Sequence, residues 1–352
     1  MQQAAPRARI TGIDAARGLA LLGMFVAHVV PDGDGAAGDA LFAIATERSR
    51  LLFAITAGFG LGLLTGGTRP APPGERRGLR RQIAVRALLL LALGLLLTAM
   101  GPLVYVILDE YGIAFAIMIA LVFLPARVLL AVGAPLVVLM AGLTAWGPLR
   151  AALGIGPDHL LADWFATGAY PVLVWVPVMM VGVGIVRLGI DRPRVLAWVG
   201  SAGLAVAIAG LGVSVALGGD LLAPTRAPGA DAVGAACFTA GNVGVGLATS
   251  AALIALTART PAPVARVAGG MLSPLAAAGS MPLTVYTVQL VVLRATTRVG
   301  ADGIPTDDSW ATFWWLTVGT LIGAWLWRRH VGRGPLEWVV AVASGRIRFG
   351  GA

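Results

Sequence analysis

The chain has 352 residues, 58% of them hydrophobic and only 12% charged, with a mean hydropathy of +0.85. A soluble domain carries about 25% charged residues, so this composition excludes a soluble fold and predicts an all-α, polytopic membrane protein. The net charge of +9 rests on 26 arginines and no lysine, scattered as membrane topology requires rather than gathered for nucleic acid.

One cysteine, Cys237, excludes an internal disulfide, and three histidines without paired spacing offer no zinc site, so no metal is expected. Ten apolar segments follow one another, near residues 11–30, 49–65, 83–100, 110–125, 128–146, 168–187, 195–217, 235–257, 271–294 and 310–327. Each is close to the roughly 20 residues that cross a bilayer as a helix. Residues 1–352 read as one multi-span domain with short loops, ending in a short amphipathic segment at 328–352. Residues 18–30 have the length of a signal-peptide core, but Asp14 and the missing small-residue cleavage site before "PDGDGAAGD" argue for a first span.

Segment one, "DAARGLALLGMFVAH", carries an acid, a guanidinium and an imidazole. On a helix Arg17 and His28 lie within about 20° of one direction and ~16 Å apart along the axis, with Asp14 on the same side. Ionisable groups inside a membrane are costly, by roughly 2.5–3.5 kcal/mol or more, and so point to function. Pairing and snorkelling are the plainer account of Asp14 and Arg17, and an interfacial imidazole that of His28. Arg48 and Arg50, at the outer end of segment two, are candidate substrate-binding residues. Asp109 and Glu110, in the turn "YVILDEYG" before segment four, could fix the tautomer of His28. Asp109 is itself the alternative base; an ordinary solvated turn is the plainer account of both.

Segment nine carries a second polar set. On one helix Ser280, Thr284, Thr287, Arg294 and Arg298 fall within about 40° of one direction, while Tyr286 and Gln289 lie together on another side. Thr284, Tyr286, Gln289 and Arg294 are therefore candidate acceptor-binding residues lining a channel, although bonding to backbone or to a neighbouring helix explains the same ladder. Glu337, two residues after Pro335 in "GRGPLEWVV", starts a short helix expected on the membrane surface with Trp338 and Arg346.

Arginine distribution sets the orientation. With both termini cytoplasmic, 18 of the 26 arginines fall on the inner side and six on the outer, Arg17 and Arg86 lying within segments. This satisfies the positive-inside rule and an even number of spans.

Arg-x10-His in a first span, here "RGLALLGMFVAH", resembles the signature of the type 3 membrane acyltransferases. The stretches "RITGIDAARGLALLGMF", "ERSRLLFAITAG", "TGAYPVLVWVPVMMVGVGIVRL", "LAAAGSMPLTVYTVQ" and "RGPLEW" resemble, in this order, the related heparan-α-glucosaminide N-acetyltransferase-like and YeiB-like (DUF418) proteins. They touch both ends and the middle of the chain. The resemblance implies a multi-span fold that takes an acyl group from cytoplasmic acyl-CoA and passes it across the membrane to an acceptor, often a sugar. Arg17 and His28 match the Arg-x10-His pair; Asn is usual at the His28 position in the YeiB-like branch.

The leading expectation is a plasma-membrane acyltransferase. Arg17 would hold the phosphates of acyl-CoA, most simply acetyl-CoA. His28 would act as general base on a hydroxyl or amine of an envelope glycan, glycolipid or metabolite. The partners expected are membrane lipids, acyl-CoA and this extracytoplasmic acceptor, with a homodimer as one open arrangement and no nucleic acid. The alternatives are a transporter or flippase whose charges line a substrate path, and a helical scaffold whose charges are only paired.

Overall fold

The structure is a computed structural model that describes residues 9–31, 36–152, 160–221, 230–258, 262–299 and 303–346. Residues 32–35 and the tail beyond 346 fall outside these residues, as do Arg7, Arg226, Arg259 and Arg348.

Fourteen helices make up nearly all of the described chain: α1 (Thr11–Val29), α2 (Ala36–Leu64), α3 (Pro73–Ala99), α4 (Leu108–Leu121), α5 (Ala126–Ala145), α6 (Gly147–Ala152) and α7 (Leu160–Ala162). After a π-helical turn at Asp163–Thr167 come α8 (Val172–Leu188), α9 (Pro193–Ala216), α10 (Asp231–Ala258), α11 (Ala262–Ser280), α12 (Pro282–Thr296), α13 (Trp310–His330) and α14 (Pro335–Ala343). A two-residue hairpin, β1 (Arg298–Val299) against β2 (Pro305–Thr306), joins α12 to α13. The chain is all-α and multi-spanning. Among the described residues five helices are long and apolar enough to cross a membrane, or up to seven if each of two bent pairs counts as one span.

Proline opens α3, α9, α12 and α14, where its fixed φ suits a helix and its missing N–H costs nothing. Ser309 caps α13, its side chain accepting from Thr312 N. The centre of the bundle is α8, buried without interruption from Val174 through Arg187. Such all-round burial suits a helix that is apolar on every face. At its end the Arg187 guanidinium donates to the carbonyls of Gly62 (3.1 Å), Thr65 (3.3 Å) and Val122 (2.7 Å). It thereby ties α2 and α4 to α8 and satisfies helix-end acceptors. Around this centre α3, α5, α9 and α13 turn Leu88, Leu139, Ile208 and Trp315 outward, each more than half exposed, as a lipid-facing surface requires.

Close helix approach is built on glycine. A Cβ at Gly279 would stand 1.8 Å from the Asp14 carbonyl, and one at Gly18 would stand 2.1 Å from that of Leu275. α11 therefore crosses α1 backbone to backbone, the small-residue packing of membrane helices.

Three expectations are corrected. Segment two starts at Ala36 rather than at 49: Glu47, Arg48 and Arg50 sit inside α2, and Glu47 pairs with Arg50 at i,i+3, so charge does not end the helix. Segment nine is two helices, α11 and α12, bent by 78°. Pro282 removes a donor and drives Met281 out of the helical region, to φ −133° and ψ 54°. Ser280 and Arg298 thus leave the stripe proposed for them, the first on α11 and the second in β1. Asp109 and Glu110 are not in a solvated turn. They form the first turn of α4, buried at 6% exposure each, where the helix N-terminus favours acids.

Candidate functional site

A cavity of about 600 Å³ opens where α1 and α12 begin, α2 and α13 end, and α14 lies across. Six arginines line it: Arg9, Arg17, Arg86, Arg328, Arg333 and Arg346. The acids among its lining are Asp14 and Glu337, and both are already engaged. Asp14 pairs with Arg9 and, at 3.5 Å, with Arg17. Glu337 accepts from Leu283 N (2.7 Å) and Thr284 N (3.2 Å) through Oε1 and from the Thr284 hydroxyl (2.6 Å) through Oε2. A carboxylate at the start of α12 is where the helix dipole favours it.

The arginines fall into two classes. Arg17 is held by the protein, donating to Thr56 O (2.9 Å) and Gly279 O (3.2 Å) at the α1–α2–α11 junction. By contrast, the guanidinium groups of Arg86, Arg328, Arg333 and Arg346 donate to no described group and pair with no described acid. Burial, and then the neighbouring Arg333 cation, pull the Arg346 pKa below its ordinary value. Several cations in one partly enclosed space, with no free acid among them, form a site for a polyanion. Inward, the lining turns apolar and aromatic at Phe53, Leu90, Leu108, Tyr111 and Phe115. The cavity is charged at its mouth and greasy at its floor.

His28 does not line this cavity. Between it and Arg17 on α1, Leu21, Met24 and Phe25 are packed at 0%, 3% and 0% exposure, so the shared stripe is not an open path. The ring is half-buried, and its Nδ1 lies 2.8 Å from Nε2 of the fully buried Gln289 on α12. One turn earlier on α12, the Tyr286 hydroxyl accepts from Ile107 N at 3.1 Å. Ile107 immediately precedes the floor residue Leu108. Tyr286 and the 105–107 segment thus link α12, which carries Gln289, to the chain that enters the cavity floor at Leu108.

The imidazole's fixed partner is Gln289, not Asp109. Asp109 Oδ2 instead accepts from Trp164 Nε1 of the π-helical turn at 3.0 Å. Its Oδ1 and Glu110 Oε2 are buried with no hydrogen-bond partner among the described residues. The other candidates are also engaged by protein. Arg48 donates to Leu221 O (2.6 Å), Arg50 to Ala169 O and Glu47, and Arg294 to Met100 O (2.9 Å). Thr284 serves the α14 contact. Glu47 and Arg50 border a second, smaller cavity of about 250 Å³ beneath Gly168 and Trp175.

Arg86, Arg333, Arg346 and Glu337 are among the cavity residues that sequence reasoning did not single out as functional. For Arg86 a signal exists: it stands in "RQIAVRALLLL", a charge entering an apolar run without a nearby acid. For the others only the fold of α14 against α12 and α3 brings them there. α14 forms part of the cavity wall, where Val340 and Ala341 are buried.

Residues 9–215 match the family described as heparan-alpha-glucosaminide N-acetyltransferase, catalytic, and residues 184–345 match one described as protein of unknown function (DUF418). No curated protein matches the chain. The α1–α4 wall of the cavity falls in the first match and the α12–α14 wall in the second, with Arg346 one residue beyond it.

Proposed function

Because the chain belongs to the heparan-alpha-glucosaminide N-acetyltransferase catalytic family, and so has a membrane acetyltransferase-like role, we propose that its donor is acyl-CoA, most simply acetyl-CoA. The observation that carries this reading is the set of guanidinium groups of Arg86, Arg328, Arg333 and Arg346, bonded to no described group, around one cavity whose two acids are both occupied. Coenzyme A brings phosphates for the mouth and a pantetheine arm for the apolar floor. A volume of about 600 Å³ is within the usual range of small-molecule sites.

On this reading the cavity mouth, and with it both termini, faces the cytoplasm of a plasma membrane. The acceptor, a hydroxyl or amine of an envelope glycan, glycolipid or metabolite, approaches from the other side. The acceptor oxygen or nitrogen attacks the thioester carbonyl as His28 Nε2 takes its proton. The carbon–sulfur bond then breaks, and the imidazolium returns the proton to the departing thiolate. Movement of Tyr286 and the 105–108 segment lets the thioester pass from the floor to His28. Asp109, beside Leu108, is the alternative base if no such movement occurs.

The test is purified protein with radiolabelled acetyl-CoA. Saturable binding that Arg86→Gln weakens, together with labelled product when an envelope extract is added, supports the reading. Substrate uptake into proteoliposomes without covalent transfer replaces it by transport.

A further inference from the structure

We infer that Gln289 is the positioning residue that decides which nitrogen of His28 carries the proton, and thereby whether His28 can serve as a base. The inference rests on the acyl-transfer reading for the choice of the productive amide orientation and for its consequence in turnover. Its structural part stands on the contact between α12 and α1.

A neutral imidazole has one N–H and one lone pair, and the bond made at one nitrogen fixes the other. Among the described residues the ring's one hydrogen bond is to the Gln289 amide, at 2.8 Å from Nδ1. The titratable groups on the packed elements are engaged elsewhere. Asp307, before α13, accepts from Thr297; Arg294 on α12 donates to Met100 O; Glu47 on α2 pairs with Arg50. No described charge bonds to the ring, and among the described residues its partner is this uncharged amide.

The amide can meet Nδ1 in two ways. With its nitrogen toward the ring, Nδ1 accepts, the proton sits on Nε2, and Nε2 has nothing with which to take another. With its carbonyl toward the ring, Nδ1–H donates to Oε1 and Nε2 carries a free lone pair. Either way the remote amide atom is buried without a partner, as Oε1 is in the orientation observed. The orphan is the carbonyl oxygen in the first orientation and the NH2 group in the second, and which atom faces the ring is an assignment that the 2.8 Å contact leaves to the tautomer. Only the second is productive. In it Nε2 takes the acceptor's proton, Nδ1–H stays on Oε1 throughout, and Nε2–H then protonates the thiolate. An amide suits this place better than a carboxylate, since it holds the ring without burying an ion pair in the resting protein.

The experiment is 15N NMR of the imidazoles in 15N-histidine-labelled protein carrying His159→Gln and His330→Gln, so that His28 is the ring observed. The expected wild-type spectrum has the proton on Nδ1. Gln289→Leu should shift the ring toward Nε2–H and lower kcat by about 10- to 100-fold, short of the about 10²–10⁴-fold worth of the base itself, with the KM for acetyl-CoA unchanged. Gln289→Glu, an acceptor-only replacement of the same shape, should keep Nδ1–H. It should also move the low-pH limb of turnover upward by about one unit or more, because a carboxylate stabilises the imidazolium. An Nε2–H ring in wild type, or 15N shifts that neither substitution moves, overturns the inference. A Gln289-dependent tautomer in a protein with no transferase activity upholds the contact and removes the acyl-transfer reading instead.

Discussion

The Thr284 hydroxyl donates to the Glu337 carboxylate at 2.6 Å and accepts from Leu336 N at 3.1 Å, so the first turns of α12 and α14 are bonded to each other. Gly334 makes room for the contact: a Cβ there would stand 2.2 Å from Glu337 Oε2. This is the joint that places Arg333 and Arg346 at the cavity. Glu337→Ala leaves Leu283 N and Thr284 N without their acceptor, at a cost of about 1–3 kcal/mol. The expected result is a lower unfolding midpoint in detergent and weaker acetyl-CoA binding together. Unchanged donor affinity in Glu337→Ala would show that α14 is no part of the donor wall.

Arg86 and Arg17 should separate by stability. Arg86 bonds to no described protein group, so Arg86→Gln should leave the unfolding midpoint unchanged or raised. Donor affinity should fall about 10- to 100-fold, the worth of one charge-assisted bond at about 1.5–3 kcal/mol. Arg17 donates to two carbonyls, so Arg17→Gln should lower stability as well as affinity. Lysine should restore part of the binding at Arg86, since charge survives and the planar fork does not. Isothermal titration and thermal unfolding on the same preparations make the comparison.

Tyr286→Phe removes the acceptor of the buried Ile107 N–H. It should destabilise by about 1–3 kcal/mol and leave donor affinity intact, because the hydroxyl lies beyond the cavity floor. If Tyr286 moves to let the thioester pass, kcat rather than KM changes. A changed donor KM would instead put Tyr286 in contact with the acyl chain.

The orientation is checked by thiol labelling in a background lacking Cys237. A cysteine at Gly74, where a Cβ meets nothing within 4 Å, should be shielded from an impermeant reagent in intact cells. One at Asp34 should react. Labelling at Gly74 alone reverses the orientation and exchanges the donor and acceptor sides.

His28→Ala should keep acetyl-CoA binding, since the ring lies outside the cavity, and lose about 10²–10⁴-fold in turnover. His28→Asn is the sharper comparison. Near wild-type turnover in that variant transfers the base role to a carboxylate such as Asp109, which follows the floor residue Leu108.

Much of the architecture was legible from the sequence because membrane helices are specified locally. An apolar run of about 20 residues must satisfy its own backbone in lipid, and a helix does so within the run. Each of the ten apolar segments accordingly coincides with a helix, or in the ninth case with two. The charges Asp14 and Arg17 could be placed on one face by the helical period alone, and they do pair, at 3.5 Å. The break at Met281 was written in the sequence as Pro282, but its 78° angle was not, since the packing of α11 across α1 at Gly18 and Gly279 sets it.

What joins distant parts of the chain belongs to tertiary structure. His28 and Gln289 are 261 residues apart, and Thr284 and Glu337 are 53 apart. No periodicity within a segment can report either contact. The arginine pattern announced a charged side of the membrane, but only the fold distinguishes Arg17, whose guanidinium is anchored on two carbonyls, from Arg86, whose guanidinium bonds to no described group. Local sequence decides where a helix must be, because backbone hydrogen bonds must close within it. Which of its charges remain free for a ligand is decided by the neighbours that packing brings.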